Sequence, residues 1–197
     1  MKKFFLLAAV AMLTVVNVNA QNEEPRQEIG VSYGWASTSD WLSIFGNIVE
    51  AVFGERFGDN DMLIGPISVE YYYHLKPWLG VGAIAAYGQF EQDVVNSDKD
   101  VIGNKKTNYL TFMPAVKFDW LRRDCVGLYS KLAVGATMRS EKKTYKDESK
   151  QGWDNSGFHV NFQVSAIGVE VGKQLRGFAE LGLGEQGVFS VGARYRF

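Results

Sequence analysis

The chain has a single cysteine, Cys125, in 197 residues. No disulfide can form within it, and Cys125 reads as a small turn residue. It also lacks an excess of positive charge: 21 Lys and Arg stand against 22 Asp and Glu, for a net charge of −1. That removes the bulk electrostatic signature of a nucleic-acid binder. No cluster of residues has metal-ligand spacing, and neither a metal nor a cofactor is expected. Beyond the first twenty residues, no apolar run approaches the roughly 20 residues that a membrane-spanning helix requires. If the protein crosses a membrane, it must do so as a closed barrel, the other structure that satisfies every backbone group in lipid.

The first twenty residues, MKKFFLLAAVAMLTVVNVNA, combine a basic start at Lys2 and Lys3, an apolar run from Phe4 to Val16, and small residues at Val18-Asn19-Ala20. This is the pattern of a secretory signal, expected to be cleaved after Ala20. No cysteine lies near the cleavage site, so a lipidated N-terminus is not expected. Cleavage removes two bases and no acids, leaving 19 against 22 and a mature charge of −3. Residues 21–197 are then one domain.

That domain alternates apolar and polar residues in eight stretches, the period of a strand with two unlike faces. EIGVSYGWA sets Ile29, Val31, Tyr33 and Trp35 against Glu28, Gly30, Ser32 and Gly34. Similar runs lie around Ile67–Tyr73, Leu79–Tyr87, Leu110–Trp120, Leu128–Met138, Phe158–Val171, Ala179–Leu183 and Phe189–Phe197. Most are about 9–11 residues or slightly longer, as a tilted bilayer-crossing strand needs. The sixth breaks phase where Ala166 and Ile167 adjoin, which predicts a bulge at Ser165–Ile167. Short connections at 75–77, 121–125 and 172–175 alternate with long loops expected at 37–62, 92–106 and 141–157. The last connection, Glu185-Gln186-Gly187, is short. Aromatics fall in two groups, with Tyr73, Trp78, Phe118, Trp120, Tyr195 and Phe197 near the short turns and Trp35, Tyr87 and Phe158 near the long loops. Two interfacial girdles suit a membrane barrel.

One segment departs from this pattern. In DWLSIFGNIVEAVFG, Trp41, Phe45, Ile48 and Val52 recur at helical spacing, as do Leu42, Val49 and Phe53. Ser39 or Asp40 can cap such a helix and Gly54 can end it. A short amphipathic helix is expected in the first outer loop, lying on the outer-leaflet interface or folded over the barrel mouth.

The chain ends SVGARYRF, with Ser190, Gly192, Tyr195 and Phe197 in a polar-x-Gly-x-x-aromatic-x-Phe pattern. This resembles the C-terminal strand signal by which the outer-membrane assembly machinery recognises its substrates. With the leader and eight strands, the chain resembles the small OmpA- or OmpX-type barrels of Gram-negative bacteria. The resemblance implies an all-β, eight-stranded antiparallel up-and-down barrel in the outer membrane, with both mature termini in the periplasm. It implies outer-membrane lipid and the assembly machinery as partners. A peptidoglycan-tethering role is not expected to carry over from the resemblance.

The inward phase carries Glu28, Glu70, Asp119, Glu180 and, past the bulge, Glu170, against Lys117, Lys131, Arg139, Arg194 and Arg196. An eight-stranded lumen is just wide enough for side chains to fill, and buried charge must be paired. Balanced signs therefore favour a packed, salt-bridged interior over a diffusion pore. GLGEQG (Gly182–Gly187) is a literal G-x-G-x-x-G, and GVGAIA (Gly80–Ala85) fits the looser form. The first is followed by a strand and the second lies inside one, whereas a dinucleotide site needs a helix after its glycines. Inward glycines that leave space in a narrow lumen explain them better. Lipid A deacylases of similar architecture use a His-x-Ser pair. Here His159-Val160-Asn161 lacks the serine, Asp154 and Ser156 would have to align with His159, and His74 lies at the opposite end. No enzyme activity is expected. The charged third loop offers Trp153 as a contact point.

The expected function is that of a monomeric outer-membrane barrel with a structural or surface-interaction role, acting through its outer loops on an extracellular partner. A small channel, a ligand-binding barrel and a lipid A-modifying enzyme are the competing readings. A soluble barrel with its apolar face inward is a further one.

Overall fold

The computed structural model describes residues 26–35, 56–95, 101–145 and 152–197. The expected signal peptide (1–20, with cleavage after Ala20) and the expected loop helix (Trp41 to Phe53) lie outside these residues. Eight strands follow in chain order: β1 (Gln27–Trp35), β2 (Arg56–Lys76), β3 (Leu79–Val95), β4 (Val101–Arg122), β5 (Val126–Tyr145), β6 (Trp153–Gly172), β7 (Leu175–Gly184) and β8 (Phe189–Arg196). Each pairs antiparallel with its chain neighbour, and β8 pairs with β1 to close the ring. Closure leaves no sheet edge around the barrel body. Reciprocal backbone bonds of 2.9 Å between Gln27 and Phe197 hold the two described ends together. They lie at the end that carries the turns after β2, β4 and β6.

The strand faces follow the alternation of the sequence. The expected bulge is present, since the β6–β7 register slips between Ser165 and Ile167. The expected long loops are corrected. Of 37–62, residues from Arg56 onward belong to β2. Most of 92–106 belongs to β3 and β4, and 141–157 contains the end of β5 and the start of β6. At 91–93, 104–108, 140–144 and 154–156 polar residues occupy both faces, so the apolar–polar alternation stops while the hydrogen-bonded ladder continues. A strand standing in water needs no apolar outer face.

The wall is consequently uneven. Strands β2 to β6 are 17 to 22 residues long, whereas β7, β8 and β1 are 10, 8 and 9. The last β1–β2 pair is Tyr33↔Ile67, and the last β6–β7 pair is Gln163↔Gly184. Beyond those pairs, β2 to β6 continue as an open sheet above the closed ring.

Candidate functional site

The polarity of the barrel is inverted relative to a soluble protein. Large apolar side chains face outward, with Phe112 62% and Val160 76% exposed, while Lys117, Lys131 and Arg194 are fully buried in the lumen. The register locates the apolar band. Tyr87, Leu110, Met138 and Phe158 form one outward row across β3 to β6, and the next rows up are Gln89-Asn108-Ser140-Ser156 and Glu91-Lys106-Lys142-Asp154. Below the first row, outward apolar residues run from Leu110 to Trp120 on β4 and from Met138 to Leu128 on β5, 11 residues in each case. Such a run rises about 33 Å along the strand, or about 25 Å once tilted by about 40°, the height of a transmembrane barrel's apolar band. Aromatic pairs mark both ends. Trp35 stacks on Phe189 with ring centroids 5.6 Å apart at the upper end, and Tyr195 stacks on Phe197 at 5.9 Å at the lower end.

Inside, Arg194 is the hub. Its guanidinium is hydrogen-bonded to Glu70, lies 2.8 Å from Glu170 Oε2, and sits 4.4 Å from the Phe178 ring centroid and 4.8 Å from that of Tyr129. Lys131 Nζ bridges Glu70 Oε2 at 2.9 Å and Glu180 Oε2 at 2.7 Å. Lys117 Nζ donates to Glu28 Oε1 at 2.6 Å, and Arg196 binds Glu170 and, at 3.2 Å, Glu28 Oε2. Tyr129 closes the circuit by donating its hydroxyl to Glu180 Oε1 at 2.6 Å. Glu28, Glu70, Asp119, Glu170 and Glu180 thus face Lys117, Lys131, Arg176, Arg194 and Arg196 in equal number. Mutual pairing is what permits charge at this depth. Tyr72, Ile84 and Met113, all fully buried, cluster with Ala115 and Ala133 in the same lumen.

Further hydrogen bonds hold both ends of the network. At the lower end, the Arg176 guanidinium donates to the carbonyls of Arg123, Asp124 and Lys173 at 2.7, 2.8 and 2.9 Å, tying two turns together. His74 Nε2 lies 2.8 Å from Asp119 Oδ2. At the upper end, the β7–β8 turn tucks into the mouth. Glu185 Oε2 accepts from Asn161 Nδ2 at 2.6 Å, and Oε1 accepts from Thr111 at 3.1 Å. The Gln186 amide donates to Gln163 Oε1 at 2.7 Å. Gly184 and Gly187 make the inward turn at φ of 139° and 97°, a region that other residues avoid.

Of the residues singled out from the sequence, Glu28, Glu70, Lys117, Asp119, Lys131, Glu180, Arg194 and Arg196 come together in one cluster. Arg139 stands apart, higher on β5 and paired with Glu141. Ser190 and Gly192 point inward on β8, while Tyr195 faces outward. Inward His159 and outward Asp154 and Ser156 occupy opposite faces of β6 and are not brought together. Sequence reading missed Arg176, Tyr129, His74 and Glu185 as network members. Arg176 and Tyr129 share the inward phase of charged residues already noted. Glu185 belongs to a turn, where strand alternation gives no signal.

Among solved structures, the chain is similar to Ail, the attachment invasion locus protein of Yersinia pestis, at 16% identity over 89% of this chain and 100% of that one, with a TM-score of 0.49. It is similar to the same protein in complex with the heparin analogue sucrose octasulfate at 14% identity over 89% and 100%, TM-score 0.47. For the backbone structure of Ail in a phospholipid bilayer nanodisc the identity is 17% over 88% and 100%, TM-score 0.38. No family model matches the chain, and no curated protein sequence does.

Proposed function

We propose that this protein is an integral outer-membrane barrel with a sealed lumen, acting at the cell surface through the sheet that stands above the bilayer. The observation that carries the reading is the inverted polarity: an apolar outer band of bilayer height around a charge-paired interior. In water that band would be an exposed apolar surface far beyond what soluble proteins tolerate. In lipid it is the solvated face, and charge is confined to the lumen. The residue pattern of β8, with Ser190 and Gly192 inward and Tyr195 and Phe197 stacked at the lower rim, fits recognition by the outer-membrane assembly machinery.

Interaction is assigned to the upper sheet because, among the described residues, its two outer strands are paired on one side only. Among the described residues, Trp153–Asn161 of β6 pairs with β5 alone, and β2 above Ile67 pairs with β3 alone. An uncovered strand edge presents unpaired N–H and C=O groups to which an extended segment of a partner can add. The separation of His159 from Asp154 and Ser156 supports a binding role over a hydrolytic one.

Planar-bilayer recording of the refolded barrel, with insertion verified by heat-modifiable migration, tests the sealed-lumen reading. No conductance steps are expected. Discrete steps that change on Arg194→Leu or Glu70→Gln would establish the small-channel reading instead. Recovery of the native protein in the soluble periplasmic fraction would overturn the membrane assignment.

A further inference from the structure

Three register slips lie side by side in the lower part of the wall. Trp120 is the extra residue between Asp119↔Tyr129 and Leu121↔Leu128. Ser130 alone opposes Ala166 and Ile167 between Tyr129↔Gly168 and Lys131↔Ser165. Ala166 is the extra residue between Ser165↔Gly182 and Ile167↔Leu181. The β5–β6 ladder is therefore open at Ser130 and Ala166, on the outward face.

Side chains repair the open ladder. Ser130 Oγ donates to the Ala166 carbonyl at 2.6 Å, and the Trp120 indole N–H donates to Ser130 Oγ at 2.8 Å. This relay leaves the Ala166 carbonyl paired where no water is available. It also leaves a cleft of about 230 Å³ in the outer wall, lined by Trp120, Leu128, Tyr129, Ser130, Ala166 and Ile167. Ser130 and Ala166 contribute small side chains to its lining, and Trp120 and Ile167, both well exposed, contribute large ones.

We infer that this cleft is a binding site for one acyl chain of a phospholipid in the periplasmic leaflet. It presupposes the lipid-facing wall proposed above. The cleft is continuous with the apolar band and opens near its lower edge, where Trp120 sits two residues from the end of β4. Its hydrogen-bonding groups are engaged with one another, so the occupant it fits is hydrocarbon. A smooth wall is contacted by lipid chains in rapid exchange, whereas a recess with an aromatic side retains one chain by added dispersion contact.

The test is photolabelling of the full barrel in phosphatidylcholine vesicles containing a phospholipid with a diazirine near the carboxyl end of one acyl chain, with adducts mapped by mass spectrometry. Adducts at Trp120, Leu128 and Ile167 are expected several-fold above those at Leu75 and Leu175, exposed residues at the same end of the wall. Ala166→Leu, which fills the cleft, is expected to bring them down to the level of the wall. Ile167→Ala, which widens it, is expected to preserve the excess at Leu128 and Trp120. Even labelling of the wild-type wall, or no effect of Ala166→Leu, would overturn the site while leaving the lipid-facing wall intact. Absence of labelling over the whole wall would overturn the membrane reading. Barrel-to-barrel adducts at these residues would overturn the acyl-chain assignment in favour of a second copy.

Discussion

Arg194 and Glu70 are hydrogen-bonded to each other across 124 residues of chain. They meet because both lie beside Gly30, which pairs with Glu70 on one side and Arg194 on the other. A Cβ at Gly30 would lie 3.0 Å from Glu70 Oε1 and 3.1 Å from Glu70 Cγ. The glycine thus leaves the space in which the strand that closes the ring, β8, meets the second strand. Gly30→Leu is expected to displace Glu70 and cost about 1–3 kcal/mol through overpacking. Urea unfolding in vesicles, followed by heat-modifiable migration, reads this; a wild-type midpoint would show that the space is not needed.

Removing Arg194 alone leaves buried carboxylates without their shared partner. Arg194→Met is expected to cost about 3–5 kcal/mol, the usual range for breaking a buried ion pair from one side. Neutralising its partner as well, in Arg194→Met/Glu70→Gln, should recover a substantial part, because fewer charges remain uncompensated. A double-mutant cycle by equilibrium unfolding measures the coupling, and strict additivity would argue that the two do not interact.

Ser130→Ala removes the donor to the Ala166 carbonyl at the open ladder. In the lipid-facing wall no water replaces the lost partner, and an acceptor left unpaired there costs about 1–3 kcal/mol. Ser130→Thr keeps the hydroxyl and should retain most of the stability in the same unfolding assay. Equal loss in both variants would assign the effect to packing rather than to the hydrogen bond.

Gly187→Val places a side chain at φ 97°, with its Cβ 2.3 Å from the Trp35 carbonyl oxygen. The tucked β7–β8 turn is expected to leave the mouth. Amide exchange at Val188, whose N–H donates to Trp35 at 2.8 Å, should then accelerate by more than tenfold, while amides of the lower network such as Arg196 stay protected. Unchanged exchange at Val188 would show that the turn tolerates a side chain there.

The barrel was legible wherever lipid and lumen impose opposite polarity on alternate residues. Leu110 to Trp120 and Leu128 to Met138 could be placed because their outward residues, Ser130 apart, are apolar, and the break at Ala166 and Ile167 revealed the bulge for the same reason. That constraint ends at the headgroups. The ladder continues through Lys105, Lys106, Lys142 and Lys143, yet the residues there read as solvated loop because nothing demands an apolar face. The inward charges were legible as a set by sign balance, but not which acid meets which base. Arg194 reaches Glu70 through closure of the ring, a pairing between the two ends of the domain that local pattern does not contain. Arg176 lies on the inward face of β7 but ahead of the stretch that reads as a strand, and Glu185 lies in a turn, where alternation gives no signal.

The most direct test of the central claim is spin-label accessibility along β5, with a nitroxide placed in turn at positions 131 to 138 in a Cys125→Ser background and the barrel held in bilayers. Leu132, Val134, Ala136 and Met138 are predicted to be open to oxygen dissolved in lipid and closed to a water-soluble nickel reagent. Lys131, Ala133 and Thr137 are predicted to be closed to both, because their side of the strand faces a filled lumen. Nickel reaching Ala133 and Thr137 would mean an open pore, and oxygen access peaking on that side would mean that the wall faces the other way.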